Sequence, residues 1–258
     1  MKTYYATSIA KFNLGLHILG RWPDGYHILE TLLVPYPVLY DDLEVRVLSG
    51  RDRLELNLTG MEIPDSEENY LETTYRTLRE KLGRPLPAMS VRLHKRIPVS
   101  GGLGGGSSNS GAFLRIMQEV LELPLSFLHE VASEVGSDVP FFLYEGPMLA
   151  TDTGTQLTPF SIDLSAYEIV MLTPPVPCST KHVYRGLRST HWSRTSIQPI
   201  IHRGIEVWPE QLHNDLEHVS FQIYPTLVSL KKALYDAGAL YASMNGSGSS
   251  IYGIFPRK

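Results

Sequence analysis

Along residues 6–20, ATSIAKFNLGLHILG, apolar and polar positions alternate: Ala10, Phe12, Leu14, Leu16 and Ile18 share one parity, Ile9, Lys11, Asn13, Gly15 and His17 the other. A period of two predicts a strand with one greasy face and one partly polar face. Pro23-Asp24-Gly25 predicts a turn, and His27 to Val34 a second strand running back. DDLEVRVL and DRLELNLT are two further short alternating runs joined by Ser49-Gly50. In NYLETTYRTLREKL, Leu71, Tyr75, Leu78 and Leu82 form one helical stripe, stopped by Gly83 and Pro85.

AMSVRLHKRI alternates again and leads into PVSGGLGGGSSNSG, residues 98–111. After that loop, Ala112, Phe113, Ile116, Met117, Val120 and Leu121 predict an amphipathic helix ending before Pro124, and Ser126 to Val135 another. YEIVMLTPP reads as a strand entering a proline-rich loop. GLRSTHWSRTSIQPIIHRG, residues 186–204, has little periodicity and predicts an irregular stretch. TLVSLKKALYDAG is helical with Gly238 at its end, and YASMNGSGSSIYGIF predicts two strands around an Asn-Gly-Ser-Gly turn. Strands and helices mix without strict βαβ alternation, which predicts an α+β, two-lobed fold broken near residues 155–165.

Composition narrows the function class. The 258 residues suffice for one large or two modest domains, and a hydrophobic fraction of 43% excludes disorder. A net charge of −4 leaves no basic excess for coating a polynucleotide. One cysteine, Cys178, excludes an internal disulfide framework and a Cys-rich zinc site. No apolar run approaches the ~20 residues of a membrane span, and the N-terminus lacks a secretory layout. The expectation is a cytoplasmic enzyme acting on a small molecule, with no nucleic-acid or membrane partner, as a monomer or weak homodimer.

The glycine loop lies between a strand and a helix. Glycines let a ligand approach the backbone, and the following helix contributes about half a positive charge at its N-terminus. Together they predict a phosphate site, set against the plainer alternative of a flexible turn. The loop is neither a Walker A motif, which needs Lys before Ser/Thr, nor a completed G-x-G-x-x-G. Ser107 and Ser108 suit either a phosphate-bound Mg²⁺ or the helix cap. Lys11, on the polar parity of the first strand, is either a solvated strand lysine or a charge placed for a purpose. Asp138, entering the apolar run Val139–Leu143, is either a cap or a group that orients a hydroxyl and takes its proton. Gly246 and Gly248 belong to a hairpin turn able to close on the phosphate site.

IPVSGGLGGGSSNSG, GSDVPFFLYEGPMLATDTG and MNGSGSSIYGIF occur in that order, and the set resembles the three motifs of the GHMP small-molecule kinase superfamily. The opening AKFNLGLHILGRWPDGYHILET is similar to the branch whose acceptor is a cytidine diphosphate-linked methylerythritol. The resemblance spans residues 6–255. It implies an ATP-binding domain at 1–158 and a C-terminal domain at 159–258, with ATP and substrate meeting between lobes. It implies ATP and Mg²⁺ as cofactors and phosphorylation of the acceptor's 2-hydroxyl in the non-mevalonate isoprenoid route. Lys11 and Asp138 become the catalytic pair. Pro98, Gly101, Gly102, Leu103, Gly104, Gly105, Gly106, Ser107, Ser108 and Asn109 wrap ATP, with Asn69 and Asn109 towards the adenine. Some relatives carry Asp at the position of Asn109. Tyr26, His27 and Tyr184 fall at the cytosine, and Asn13, Thr180, Gly246 and Ser247 near the substrate. Mg²⁺ is expected to arrive on ATP, with Ser107 or Ser108 the nearest protein oxygens. The competing readings are another GHMP kinase, of mevalonate, homoserine or sugar type, and a catalytically silent nucleotide-binding regulator.

Overall fold

A computed structural model describes residues 2–63, 69–99 and 101–257, so Ser100 of the glycine loop lies outside the described residues. Two long strands open the chain, β1 (Lys2–Arg21) and β2 (His27–Arg51). The chain forms two compact units that interleave along the sequence. The first comprises Met1–Lys11, Pro35–Val99 and Gly104–Glu145; the second comprises Phe12–Val34, Ser100–Leu103 and Gly146–Lys258. The sequence expectation is a single cut after residue 158. Interleaving arises because β1 and β2 each contribute residues to both units.

In the first unit, β3 (Leu54–Gly60), α1 (Tyr70–Leu82) and β4 (Pro87–Lys95) form one βαβ crossover, with β3 and β4 parallel. β4 also pairs antiparallel with β2 from Asp42 onward. The helices α2 (Gly105–Leu121) and α3 (Leu125–Val135) and a short 3₁₀ turn (Pro140–Leu143) complete the unit. Its core joins Leu71, Tyr75 and Leu78 of α1 to Phe113, Ile116 and Met117 of α2 and to Met89, Val91 and Leu93 of β4. These are the stripes that the period-3.6 and period-2 patterns mark out.

Two expectations need correction here. His27–Val34 and DDLEVRVL are parts of one strand of 25 residues. Pro35 and Pro37, which lack an N–H, fall between the stretch paired with β5 (Met148–Thr151) and the stretch paired with β4. Second, α2 starts at Gly105, so GGSSNSG is helix rather than loop. A Cβ on Gly106 would lie 3.0 Å from the Tyr70 ring, and one on Gly111 would lie 2.4 Å from Cβ of Phe142. These glycines serve close packing of α2 on its neighbours. Gly104, with φ 71, makes the left-handed step into the helix.

In the second unit, β2 pairs with β5 and β5 with β6 (Gln156–Pro159). A separate sheet has the order β7 (Tyr167–Leu172), β9 (Ile251–Pro256), β8 (Tyr241–Met244), with β8 and β9 forming the expected hairpin. Between β7 and β8 lie α4 (Thr180–Gly186), α5 (Gln198–His202), α6 (Trp208–Gln211), α7 (Glu217–Ile223) and α8 (Thr226–Asp236). Leu227 and Leu234 of α8 pack with Met244, Ile251, Val183 and Val219. Among the described residues, no helix is long and apolar enough to cross a membrane.

Gly111→Ala tests the packing account. Alanine is the better helix former, yet its methyl has no room at Phe142. The substitution is expected to destabilise the chain by about 1–3 kcal/mol, read as a lower melting temperature.

Candidate active site

In the first unit, β1 delivers Lys11 into the interior. Its side chain is 4% exposed, and Nζ lies 3.3 Å from Oδ2 of Asp138. Of the two readings of Lys11, the solvated one is therefore excluded. Nor does Asp138 cap the 3₁₀ turn that follows: Val139 holds the N-cap position, and that cap has no side-chain bond. The carboxylate pairs instead with Lys11 and remains 38% exposed.

Gly104 sits beside this pair. A Cβ there would lie 3.2 Å from Cγ of Lys11 and 3.0 Å from the Phe142 ring. The first intrahelical bond of α2 runs from Ser108 N–H to Gly104 O at 2.7 Å, so the amides of Gly105, Gly106 and Ser107 precede it. The first turn carries no acidic residue, and it presents amide donors and the positive end of the helix dipole to an anion. Ser107 and Ser108 are buried. Asn69 is the N-cap of α1, where its side chain accepts from Leu71 N–H at 2.9 Å. The ring of Tyr70, one residue on, covers Gly106 and is 41% exposed.

Behind the first turn of α2 lies a buried polar cluster. Lys95 Nζ donates to Asp41 Oδ2 at 2.6 Å and to Asn109 Oδ1 at 3.3 Å. Asn109 Nδ2 donates to the same Asp41 oxygen at 2.8 Å. The other oxygen accepts from the backbone N–H groups of Arg96 and Ile97, at 2.7 and 2.8 Å. Asn109 is thus engaged within the protein, and Asp41 and Lys95 are members of the cluster that the sequence patterns did not single out.

In the second unit, Asn245 is the organising side chain. Its Oδ1 accepts from Asn13 N–H at 2.9 Å, and its Nδ2 donates to Gly102 O at 3.1 Å. Gly102 has φ 75, and a Cβ on it would lie 2.4 Å from Asn245 O. Asn13 Nδ2 donates to Thr31 Oγ1 at 3.0 Å. Ser250 N–H bonds Gly101 O at 3.3 Å, and Leu103 is buried. Pro98, in the first unit, is half-buried. Asn214 Nδ2 holds the hairpin turn through Met244 O and Gly246 O, both at 2.8 Å. The hydroxyls of Thr180 and Ser247 lie 2.8 Å apart.

The same unit gathers aromatic rings. His27 lies 5.5 Å from Tyr184 in a tilted arrangement and 5.9 Å from Trp192 edge-on. Burial, then the nearby Arg21 charge, pushes the His27 imidazole below its ordinary pKa. It is neutral at pH 7, with one ring nitrogen as donor and one as acceptor. Tyr26 is 67% exposed, its N–H fixed by Asp24 Oδ1 at 3.0 Å. Trp192 comes from the stretch without periodicity, where a lone aromatic gave the only signal. Two buried carboxylates order that stretch. Asp215 accepts from Ser193 N–H and Oγ at 2.8 and 2.6 Å and from Ile18 N–H at 2.7 Å. Glu30 accepts from Ser196 Oγ and Ile197 N–H, both at 2.7 Å.

His17 adds a third tether. Its Nδ1 lies 2.8 Å from Thr195 O, and His213 N–H donates to its Nε2 at 3.2 Å. A carbonyl only accepts, so Nδ1 carries the proton and the ring is neutral. Burial lowers its pKa, outweighing the opposing Thr195 bond.

Comparison with known proteins comes from three directions. Residues 69–146 match the family model for the GHMP kinases N terminal domain, and residues 202–258 match that for the GHMP kinases C terminal. A 4-diphosphocytidyl-2-C-methyl-D-erythritol kinase of Azobacteroides pseudotrichonymphae is 37% identical over 250 residues, covering 96% of this chain and 92% of its own. A crystal structure of 4-(cytidine 5'-diphospho)-2C-methyl-D-erythritol kinase superimposes with a TM-score of 0.78 at 30% identity, covering 97% of this chain and 90% of its own. A homoserine kinase from Cytophaga hutchinsonii shares the fold, with a TM-score of 0.68 at 19% identity over 98% of this chain and 86% of its own.

The His17 tether has a pH signature. Its folded pKa lies below the unfolded value of 6.5, so the unfolded chain binds the proton more readily. Its contribution to stability is present above pH 6.5 and is lost as pH falls towards the depressed folded value. Melting temperature is expected to fall between about pH 7.5 and 5.5, and His17→Asn, which cannot titrate there, is expected to flatten that part of the profile.

Proposed function

The chain belongs to the 4-diphosphocytidyl-2-C-methyl-D-erythritol kinase family of the GHMP kinases, and from that membership we propose that it transfers the γ-phosphoryl group of ATP to the 2-hydroxyl of 4-diphosphocytidyl-2-C-methyl-D-erythritol. The product is the 2-phosphate of the non-mevalonate isoprenoid route. The observation that carries the mechanism is the Lys11–Asp138 pair beside Gly104, at the entry to α2.

The acceptor hydroxyl lies at Asp138, whose part-exposed carboxylate takes its proton as the alcohol oxygen attacks the γ-phosphorus. The bond from phosphorus to the β–γ bridging oxygen breaks, and ADP leaves. Lys11 holds the carboxylate in place and offsets charge on the attacking oxygen. The amides of Gly105, Gly106 and Ser107 receive phosphate oxygens. Phosphoryl transfer is chiefly positioning and charge neutralisation, which this set supplies. Among the described residues, no group of three or more His, Cys, Asp or Glu is arranged to hold a metal. A Mg²⁺ carried in on ATP would have the hydroxyls of Ser107 and Ser108, in the first turn of α2, as protein donors, and it would neutralise phosphate charge when bound.

Acceptor choice rests on the second unit. Phosphate chemistry has no use for His27, Tyr184 and Trp192, whereas a cytosine offers a flat face for rings and an edge for a neutral imidazole. This favours the cytidine-linked acceptor over mevalonate, homoserine or a sugar. The intact Lys11–Asp138 pair speaks against a silent regulator. As regions of sequence, 1–158 serves as the ATP-binding domain and 159–258 as the C-terminal domain; the two family-model matches fall on either side of that cut.

One assay tests the reading. With Mg-ATP and a panel of diphosphocytidyl-methylerythritol, mevalonate, homoserine and galactose, only the first is expected to gain phosphate; transfer to another acceptor instead would overturn it. Asp138→Asn is expected to lower kcat by about 10²–10⁴ with ATP binding retained. Trp192→Ala is expected to raise KM for the cytidine substrate by about tenfold while leaving KM for ATP unchanged, because only one ligand meets the rings.

A further inference from the structure

The buried cluster behind α2 has no part in the mechanism just described. Lys95 and Asp41 are both almost wholly inaccessible, at 3% and 0% exposure of their side chains. Such a pair costs desolvation, and apolar residues of similar volume often stabilise a core at least as well. The ammonium is also badly placed for the helix: a Cβ on Gly105, the first residue of α2, would lie 2.9 Å from Lys95 Nζ. A cation beneath the positive end of a helix dipole is unfavourable in the free protein. In the empty chain Asp41 and Asn109 hold that ammonium in place. An anion at that helix end reverses the sign, since dipole and ammonium then attract the same charge.

We propose that Lys95, held by Asp41 and Asn109, is a positioning residue for the polyphosphate of the nucleotide. It sets positive potential beneath the amides of Gly105 and Gly106 without touching the transferred group. Asp41 fixes the ammonium through one oxygen and the chain entering the glycine turn through the other, at Arg96 and Ile97. The cluster thus couples the height of the charge to the course of the loop. The proposal rests on the reading that the N-terminus of α2 binds ATP phosphates.

The test is the double variant Asp41→Asn/Lys95→Met, which removes both charges. The carboxamide oxygen introduced at position 41 can still accept from Arg96 and Ile97. Its NH₂ group can donate to Asn109 Oδ1 once that amide is turned, so the bond between positions 41 and 109 is kept. The expected result is a Kd for ATP raised by about tenfold, with Kd for the cytidine substrate within about twofold of wild type and the melting temperature retained. ATP affinity within about twofold of wild type would overturn the proposal. Should the double variant fail to fold, the single Asp41→Asn change decides. It leaves the ammonium less compensated, so ATP binding to the folded protein is expected to tighten, and affinity that is unchanged or weaker would overturn the proposal. Wild-type protein that binds no ATP would instead remove the underlying reading, independently of either variant.

Discussion

A lysine and an aspartate taken out of water together set the geometry of the first unit. Asp41 of β2, Lys95 of β4 and Asn109 of α2 meet at one point, so two strands and a helix are fixed against one another by charge-assisted bonds rather than by apolar contact alone. From this point the chain leaves β4, and the same aspartate holds its first two amides. Gly105 is glycine because the Ile97 side chain and the Lys95 ammonium stand where its side chain would be. Gly104 is glycine because it must take φ 71 while Lys11 and Phe142 close over it. The helix end and the Lys11–Asp138 pair therefore hold their mutual position before any ligand arrives, which is the preorganisation that phosphoryl transfer needs.

The second unit solves a different problem with the same means. The stretch from Arg188 to Ile197 has a 3₁₀ turn at Ser189–His191 but no long element to hold it. Its backbone and hydroxyl donors are taken up by the carboxylates of Asp215 and Glu30, and Thr195 O by His17. Buried backbone groups need partners, and here side chains replace the regular ladder. The outcome is an ordered segment that carries Trp192 to the edge of His27.

Periodic elements were legible in the sequence because their periods report burial directly. The Leu71–Tyr75–Leu78 stripe, the β4 alternation and the β8–β9 hairpin all appear as the patterns mark them. The start of α2 was not legible. GGSSNSG has poor intrinsic helix propensity, and only tertiary neighbours such as Tyr70 and Phe142 show why small residues are needed there. The glycine motif, Lys11 and Asp138 could be picked out as chemistry, and the family resemblance paired the last two; the structure adds the 3.3 Å contact and the burial of the lysine. Asp41, Lys95 and Asn245 escaped for one reason: each acts through a partner distant in sequence, and a single chain without its fold carries no mark of such pairs.

The two units also differ in what they leave open to change. The start of α2 gathers backbone amides, a helix dipole and two buried lysines, Lys11 and Lys95. The ring cluster of the second unit is made of side chains, one of which, Trp192, sits on a segment whose backbone is tied down by Asp215 and Glu30. Replacing the ring on such a segment alters the ring cluster while the tethers keep the chain path. Replacing a residue around Lys95 disturbs a charge balance on which the helix end depends. Under the proposed function, chemistry and selectivity are therefore separable, because the first is assigned to buried electrostatics and the second to rings beside a tethered segment.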